Sequence, residues 1–495
     1  MKAVIIGSGL GGLSCGAILA KCGYEVTVLE KEAVIGGCLQ CFERRGKRFE
    51  TGMHFIGSAS KGQTLHTLMR FLEISEQVQL SPLDSHAYEV ISLDGKRYNF
   101  AMGRHAFIEK MAAYFPHQKD NLSKYYDVVE RVAKASSLHT MTDVAAPEVL
   151  TEFQLRSINE VIESVITDPV LQQVLVGNLP LYAGKKDKTP FSTHAFIMDF
   201  YNQSAYRIVG GSDKIAEALK ATIQRYGGEI CTRAKVTKVV CDDQMVKKVE
   251  INGEKEMPVD VLISDIHPQS FFPLVDSKLI RPAFRKRIQE MENTVSAFTI
   301  YVDFKENTVP YMNYNFYGYH GCSPWDCESY DESNWPRGYL YMHLCHKYKA
   351  RYASTGEIIS YMWMKDVEQW LGTRIGFRGD SYENFKREKA EQLIDTVERD
   401  FPGFRSTIRH YYTSTPLTYM DYTGTADGSM YGIAKDINKG VTSRVSFKTR
   451  IPNLYLVGQN VNSHGMLGVL VGTIVTCSDV LKPVSLFDLI KEAGL

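Results

Sequence analysis

The chain has 495 residues, 44% of them apolar and 23% charged, a composition that excludes intrinsic disorder, collagen and coiled coil. Lys and Arg number 57 against 57 Asp and Glu, so no net field draws the chain to nucleic acid, which is not an expected partner. Ten scattered cysteines, and an N-terminal apolar run that breaks at once into glycines, point to a cytoplasmic protein without a disulfide framework or signal peptide.

Lys2–Ile6 is a continuously apolar run with the look of a buried parallel strand. Gly7-Ser8-Gly9-Leu10-Gly11-Gly12 follows and fits G-x-G-x-x-G. Residues 13–22 read as a helix stopped at Gly23, and Glu25–Leu29 as the next strand, ending in Glu30 with Lys31 beside it. Gly7 permits the tight turn, Gly9 lets a pyrophosphate approach the backbone next to Leu10, and Gly12 lets helix and strand pack closely. Glu30, eighteen residues after Gly12, can accept hydrogen bonds from both ribose hydroxyls. A strand before the loop, a helix after it and an acid at the next strand's end make this a dinucleotide site. Gly36-Gly37 and then Phe49-Glu50-Thr51-Gly52 complete the region.

Further along, Ile215, Leu219 and Ile223 share one face of a helix over 213–226, with Ser212 as N-cap and Gly227-Gly228 as stop. Two β-like runs, 235–241 and Val246–Ile251, are joined by Asp242-Asp243-Gln244, and 259–264 reads as another strand. A first insertion, about 76–200, is mostly helical; Phe107, Ile108, Met111, Ala112 and Phe115 form an apolar stripe that stops at Pro116. A second, about 291–425, reads as strands over 297–304, 314–319, 339–345 and 358–364. Near the C-terminus, 453–457 reads as a strand, Gly458 to Asn460 as a turn, and Leu467-Gly468 as the start of a glycine-rich helix. The apolar stretch there is far shorter than the ~20 residues of a membrane span.

The fingerprint, acid, paired glycines and Phe49-to-Gly52 turn, with the 206–226 block and the C-terminal strand–turn–helix, resemble the phytoene desaturase and retinol saturase branch of the FAD-dependent amine oxidase-like superfamily. The resemblance spans nearly the whole chain and implies FAD rather than NAD. It implies a discontinuous α/β Rossmann-type FAD-binding domain over 1–75, 205–290 and 426–495. An inserted α+β substrate domain takes 76–204 and 291–425. Gly36, Gly37 and Gly52 are then cofactor-binding, as are Gly458, Asn460, Leu467 and Gly468 of the C-terminal motif. There Asn460 takes the place of an acid that binds the ribitol chain, and the helix start faces the isoalloxazine. Two departures stand out: Glu50 holds a usual Asp position, and Cys38 follows the paired glycines where many members have an arginine, leaving Arg44 or Arg45 as substitutes.

Residues 311–320 hold five aromatic rings, and Tyr339, Tyr341, Tyr361 and Trp363 continue the theme. They suit either a pocket for a long apolar chain or one packed face of a sheet. With the resemblance, the expected activity is desaturation or saturation of carbon–carbon bonds in a polyene, retinoid or carotenoid-like lipid. A redox-neutral polyene isomerase is the alternative, and an amine oxidase is disfavoured. Saturation needs a proton, and His54, which matches the histidine of retinol saturase-like sequences, Tyr431 and His464 are the candidate donors. Cys38-Leu39-Gln40-Cys41 lacks a second ligand pair at zinc spacing, so no metal is expected. No second G-x-G-x-x-G follows a strand, which leaves the electron partner open. A polyene substrate implies peripheral contact with a membrane.

Overall fold

The computed structural model describes residues 1–143 and 145–494; Val144 and Leu495, within the expected ranges 76–204 and 426–495, lie outside them. Strand β1 (Lys2–Ile6), helix α1 (Leu10–Lys21) and strand β2 (Glu25–Leu29) form the N-terminal βαβ unit. Val4, Ile5 and Val28 are fully or almost fully buried, each worth about 1.5–3 kcal/mol relative to exposure. The parallel sheet is five-stranded, in the order Glu229–Cys231, β2, β1, Val261–Ser264, Leu454–Leu456. Three distant stretches of chain therefore meet in one sheet. α1 packs between the helices Asp213–Arg225 and Gly465–Val480, closely enough that a Cβ on Gly16 would stand 2.9 Å from Ile223.

The runs 236–241 and 246–251 pair antiparallel in a separate four-stranded sheet. Ser212 precedes its helix, but its hydroxyl donates to the Leu39 carbonyl instead of capping. It thereby ties the 206–226 block to the loop after Gly37.

The third large sheet has seven strands, in the order Ile408–Ser414, Ser296–Phe304, Thr355–Met362, Tyr339–His343, Asn315–Tyr319, Glu89–Leu93, Lys96–Phe100. The last two come from the stretch expected to be mostly helical. Their turn, Asp94-Gly95 at φ 49° and 81°, carries the hairpin signal of a dipeptide that tolerates positive φ at both positions. Helices cover both faces. Asp380–Asp400, a 21-residue helix within the stretch expected to be strands, packs Leu393, Ile394 and Val397 against Phe298, Ile300, Tyr339 and Tyr341. The opposite face, with Tyr317, Tyr319, Leu340 and Tyr361, shares a core with the helix Arg104–Tyr114, which carries the stripe Phe107, Ile108 and Met111. Among the described residues no helix is long and apolar enough to cross a membrane.

The βαβ unit depends on a missing side chain at Gly12, where a Cβ would fall 2.1 Å from the Gly7 carbonyl oxygen. Backbone cannot yield there as a side chain would. Gly12→Ala is expected to lose about 1–3 kcal/mol of stability, read as a lower denaturant midpoint; an unchanged midpoint would show that α1 and β1 do not pack this tightly.

Candidate functional site

β1 ends where the chain must turn. Gly7 takes φ +97° and donates its N–H to the Leu29 carbonyl at 2.9 Å. Ser8 then organises the loop: its N–H and hydroxyl both donate to Glu30 Oε2, at 3.0 and 2.5 Å. The Gly36 N–H reaches back to the Ser8 carbonyl and hydroxyl. Glu32 N–H donates to the other Glu30 oxygen at 2.8 Å. Glu30 is thus buried yet held in one orientation, with lone pairs left on both oxygens.

Sequence reasoning assigned no role to Asp265, at the carboxyl end of Val261–Ser264. Its N–H donates to the Ile6 carbonyl at 2.8 Å, and its carboxylate lies within 2.6 Å of where a Cβ would stand on Gly9, Gly11 or Gly458. Burial pushes this carboxyl up to about 7; the N–H groups of Gly12 and Gly9 oppose the rise and Glu30 adds to it. The signal was available, since ligand sites in parallel sheets gather at the carboxyl ends of strands. Asp265 takes part of the positive end of α1, while helix geometry leaves the Leu10 and Gly11 N–H groups without an intrahelical acceptor.

A cavity of 550 Å³ runs along this loop and on to the seven-stranded sheet. Gly7, Gly9, Gly36, Gly37, Gly52 and Gly458 form one side, with Leu10, Glu30, Lys31 and Asn460 also lining it. Elsewhere the wall is Phe55, Leu181, Tyr201, Leu340, Ile359 and Met430. None of the aromatic residues singled out between 311 and 363 lines it; they pack on the two faces of the sheet, and aliphatic Leu340 and Ile359, paired across adjacent strands, reach the cavity instead. Gly12 belongs to the packing beneath the loop.

At the C-terminal motif the helix begins at Gly465, two residues before the expected start. Met466 and Val469 therefore line the cavity, while Leu467 is buried in the core and Gly468 packs on Ser463. Asn460 Oδ1 accepts the Ile433 N–H at 3.0 Å, so one of its lone pairs is already engaged. Arg44 and Arg45 do not line the cavity: Arg44 lies over the Phe42 ring and Arg45 contacts His410. Lys31 and Lys235 are the lysines in its wall. Cys38 lines it too, but burial pushes its thiol up to about 11, and burial with Glu50 pushes Cys41 up to about 12. Both are poorly ionised.

The three candidate proton donors differ sharply. Tyr431 lines the cavity, yet its hydroxyl already donates to the Pro180 carbonyl at 2.8 Å. His464 packs on the Tyr431 ring, tilted by 42° with 4.6 Å between centroids, and burial with nearby Lys435 lowers it to about 3, so it is neutral at physiological pH. His54 stands apart. Its side chain is 9% exposed and lines the cavity, with Nδ1 3.1 Å from Glu357 Oε2 and 3.4 Å from Glu50 Oε2. Burial alone would lower its pKa, but Glu357 and Glu50 outweigh that, and the net direction is upward. Glu357 and Arg207 were missed in the sequence; an acid opening the apolar run 358–359 and an arginine beside Ile208 were the available signs.

A glycine-walled cavity at the carboxyl ends of parallel strands, beside the N-terminus of α1, is a dinucleotide cradle in form. The family model for flavin containing amine oxidoreductase matches residues 10–474. The chain belongs to this family. It is therefore a flavin-dependent oxidoreductase. It is 28% identical over 527 aligned positions to all-trans-retinol 13,14-reductase of Rattus norvegicus, covering 97% of this chain and 86% of that one. It is 23% identical to prolycopene isomerase 2 of an Oncidium hybrid cultivar, over 92% of this chain and 80% of the relative. The fold is shared with the crystal structure of an oxidoreductase from Methanosarcina mazei, at TM-score 0.67 and 17% identity, covering 96% of this chain and 100% of that one.

Gly9 provides the sharpest test of the cradle. Gly9→Val would set its side chain against Asp265 and the cavity, and the protein is expected to purify without the visible absorbance of flavin. Full absorbance in the variant would exclude this loop as the cofactor's seat.

Proposed function

We propose that the flavin is FAD and that the enzyme adds hydrogen across a carbon–carbon double bond of a long apolar polyene of the retinoid or carotenoid kind. The single observation that carries the reading is one continuous cavity. It joins a dinucleotide-type glycine loop to an apolar wall and an imidazole backed by two carboxylates.

The residues fit the cofactor. Backbone with no side chains faces the space at nine glycines, Leu10 and Gly11 N–H groups are free for a pyrophosphate, and Glu30 is fixed with lone pairs for ribose hydroxyls. In this reading 1–75, 205–290 and 426–495 hold FAD, and 76–204 with 291–425 shape the substrate space. Lys31 would add charge near the dinucleotide, Asn460 a polar contact to the ribitol chain, and the Gly465–Val480 helix start its N–H groups. When bound and reduced, the flavin supplies the hydride.

The remaining work falls to the chain. Phe55, Tyr201, Leu340, Ile359 and Met430 exclude water and align an apolar chain. His54 protonates the second carbon of the double bond. Glu357 and Glu50 beside Nδ1 favour its cationic form against the burial that opposes it. Tyr431 and His464 support the wall, one with its proton committed to Pro180 and the other neutral.

The names of the relatives favour the same substrate class and also keep an isomerase in view. Anaerobic incubation of the pre-reduced protein with all-trans-retinol, followed by mass spectrometry, tests the choice. A product heavier by two hydrogens supports saturation. A product of unchanged mass and altered geometry would replace the saturase by the isomerase, and no conversion would overturn the substrate class. His54→Phe is expected to keep flavin and melting temperature while losing about 10²–10⁴ in turnover; wild-type turnover would remove His54 from the chemistry.

A further inference from the structure

We infer that Glu357 is the positioning residue of this site: it fixes the imidazole of His54 so that Nδ1 faces the protein and Nε2 faces the cavity. The inference rests on the reading of His54 as proton donor and deepens it.

The placement of Glu357 is the first ground. It is fully buried on the strand Thr355–Met362, on the same face as Ile359, which lines the cavity. A carboxyl group there is expensive unless partnered. Its Oε1 accepts the Glu50 N–H at 2.9 Å, and its Oε2 has no hydrogen bond, facing His54 Nδ1 at 3.1 Å. Nδ1 is equally without an aligned hydrogen bond. Two buried polar atoms, each otherwise unsatisfied, confront each other, and a proton between them serves both.

The backbone of His54 is held from the other side. Arg207, 2% exposed, reaches the His54 carbonyl at 3.4 Å, and donates to the Tyr314 carbonyl and Asn315 Oδ1 at 3.1 and 2.8 Å. Among the described residues no group pairs with Nε2. The groups that face the pair are Glu50 from Lys47–Glu50, Arg207 from Ala205–Ile208, Tyr301 from Ser296–Phe304 and Tyr419 from Pro416–Thr423. Cys41 feels Glu50, and His343 feels Arg207. Burial pushes Glu357 up to about 8, with His54 opposing and Glu50 adding to the rise. Proton sharing with Nδ1 is the outcome of that competition.

The chemical step balances with the reduced flavin as the only co-reactant. One alkene carbon receives hydride from it, which leaves it oxidised. The other carbon forms a C–H bond with the proton of Nε2, whose N–H bonding pair stays on the ring. His54 is left neutral, with its remaining proton on Nδ1 against Glu357, and water restores the proton on Nε2. Without Glu357 the neutral ring is free to carry its proton on either nitrogen, and the cation is less favoured.

Glu357→Gln keeps the size of the side chain and an oxygen for the Glu50 N–H, but removes the charge. With all-trans-retinol as probe, kcat is expected to fall at least tenfold at neutral pH with KM little changed, and flavin absorbance is retained. An acid-form donor loses activity as pH rises through its pKa, so the alkaline fall in kcat should begin at lower pH in this variant. Glu357→Asp should recover part of both losses. Nitrogen-15 NMR of histidine-labelled protein gives a readout independent of turnover, with the His54 signal assigned by its loss in His54→Phe. The titration midpoint of His54 is expected to drop in Glu357→Gln. An unchanged midpoint and pH profile would overturn the proposal. A lowered midpoint with wild-type turnover in His54→Phe would instead remove His54 as donor while leaving the coupling intact. If Glu357→Gln fails to fold, the unmodified protein decides: a His54 midpoint above the ordinary value of about 6.5 supports the coupling, and one at or below it overturns it.

Discussion

The N-terminus of α1 meets the carboxyl ends of three parallel strands only because no Cβ stands between them. Gly9, Gly11 and Gly458 each leave room for the Asp265 carboxylate, and Gly12 leaves room for the Gly7 carbonyl. The N–H of Asp265 closes on Ile6, and that of Val457 on Ser264. The sheet therefore joins stretches of chain that lie hundreds of residues apart at one point, and the positive end of a helix faces the space that point encloses. The fold thus turns bare backbone toward that space before any side chain contributes specificity.

The second constraint is electrostatic. Where the seven-stranded sheet meets this loop, the protein buries Glu50, Glu357, His54 and Arg207 together. Charges of both signs in one buried cluster are tolerable because each answers another, and breaking such a pair typically costs about 3–5 kcal/mol. The cluster also solves a chemical problem. An imidazole in an apolar cavity would ordinarily lose its proton, as His464 does nearby, and carboxylates behind His54 reverse that tendency.

Much of the fold was legible because its signals are local. The fingerprint loop, β1, β2 and the pair of β runs around Asp242 follow from glycine placement and short-range hydropathy. The 89–100 hairpin and the helix Asp380–Asp400 were missed for different reasons. The hairpin sat in a stretch whose helical periodicity dominated the reading, although Asp94-Gly95 announced it. The helix has a weak apolar stripe in a mostly charged sequence. At the site, His54 was visible from its position after the Glu50 turn. Its partner Glu357 was not, because it lies more than three hundred residues away and only sheet register brings it to Nδ1. The aromatic residues misled for a related reason: strand alternation sends Tyr339 and Tyr341 to one side and Leu340 to the other, and only the sheet's neighbours decide which side the cavity occupies.

Saturation requires electrons to leave the flavin for the substrate. Stopped-flow mixing of pre-reduced protein with all-trans-retinol under anaerobic conditions measures this directly. The absorbance of oxidised flavin should return in step with loss of retinoid absorbance, one flavin for each double bond saturated. Flavin that stays reduced while the retinoid changes, or while nothing changes, would contradict it.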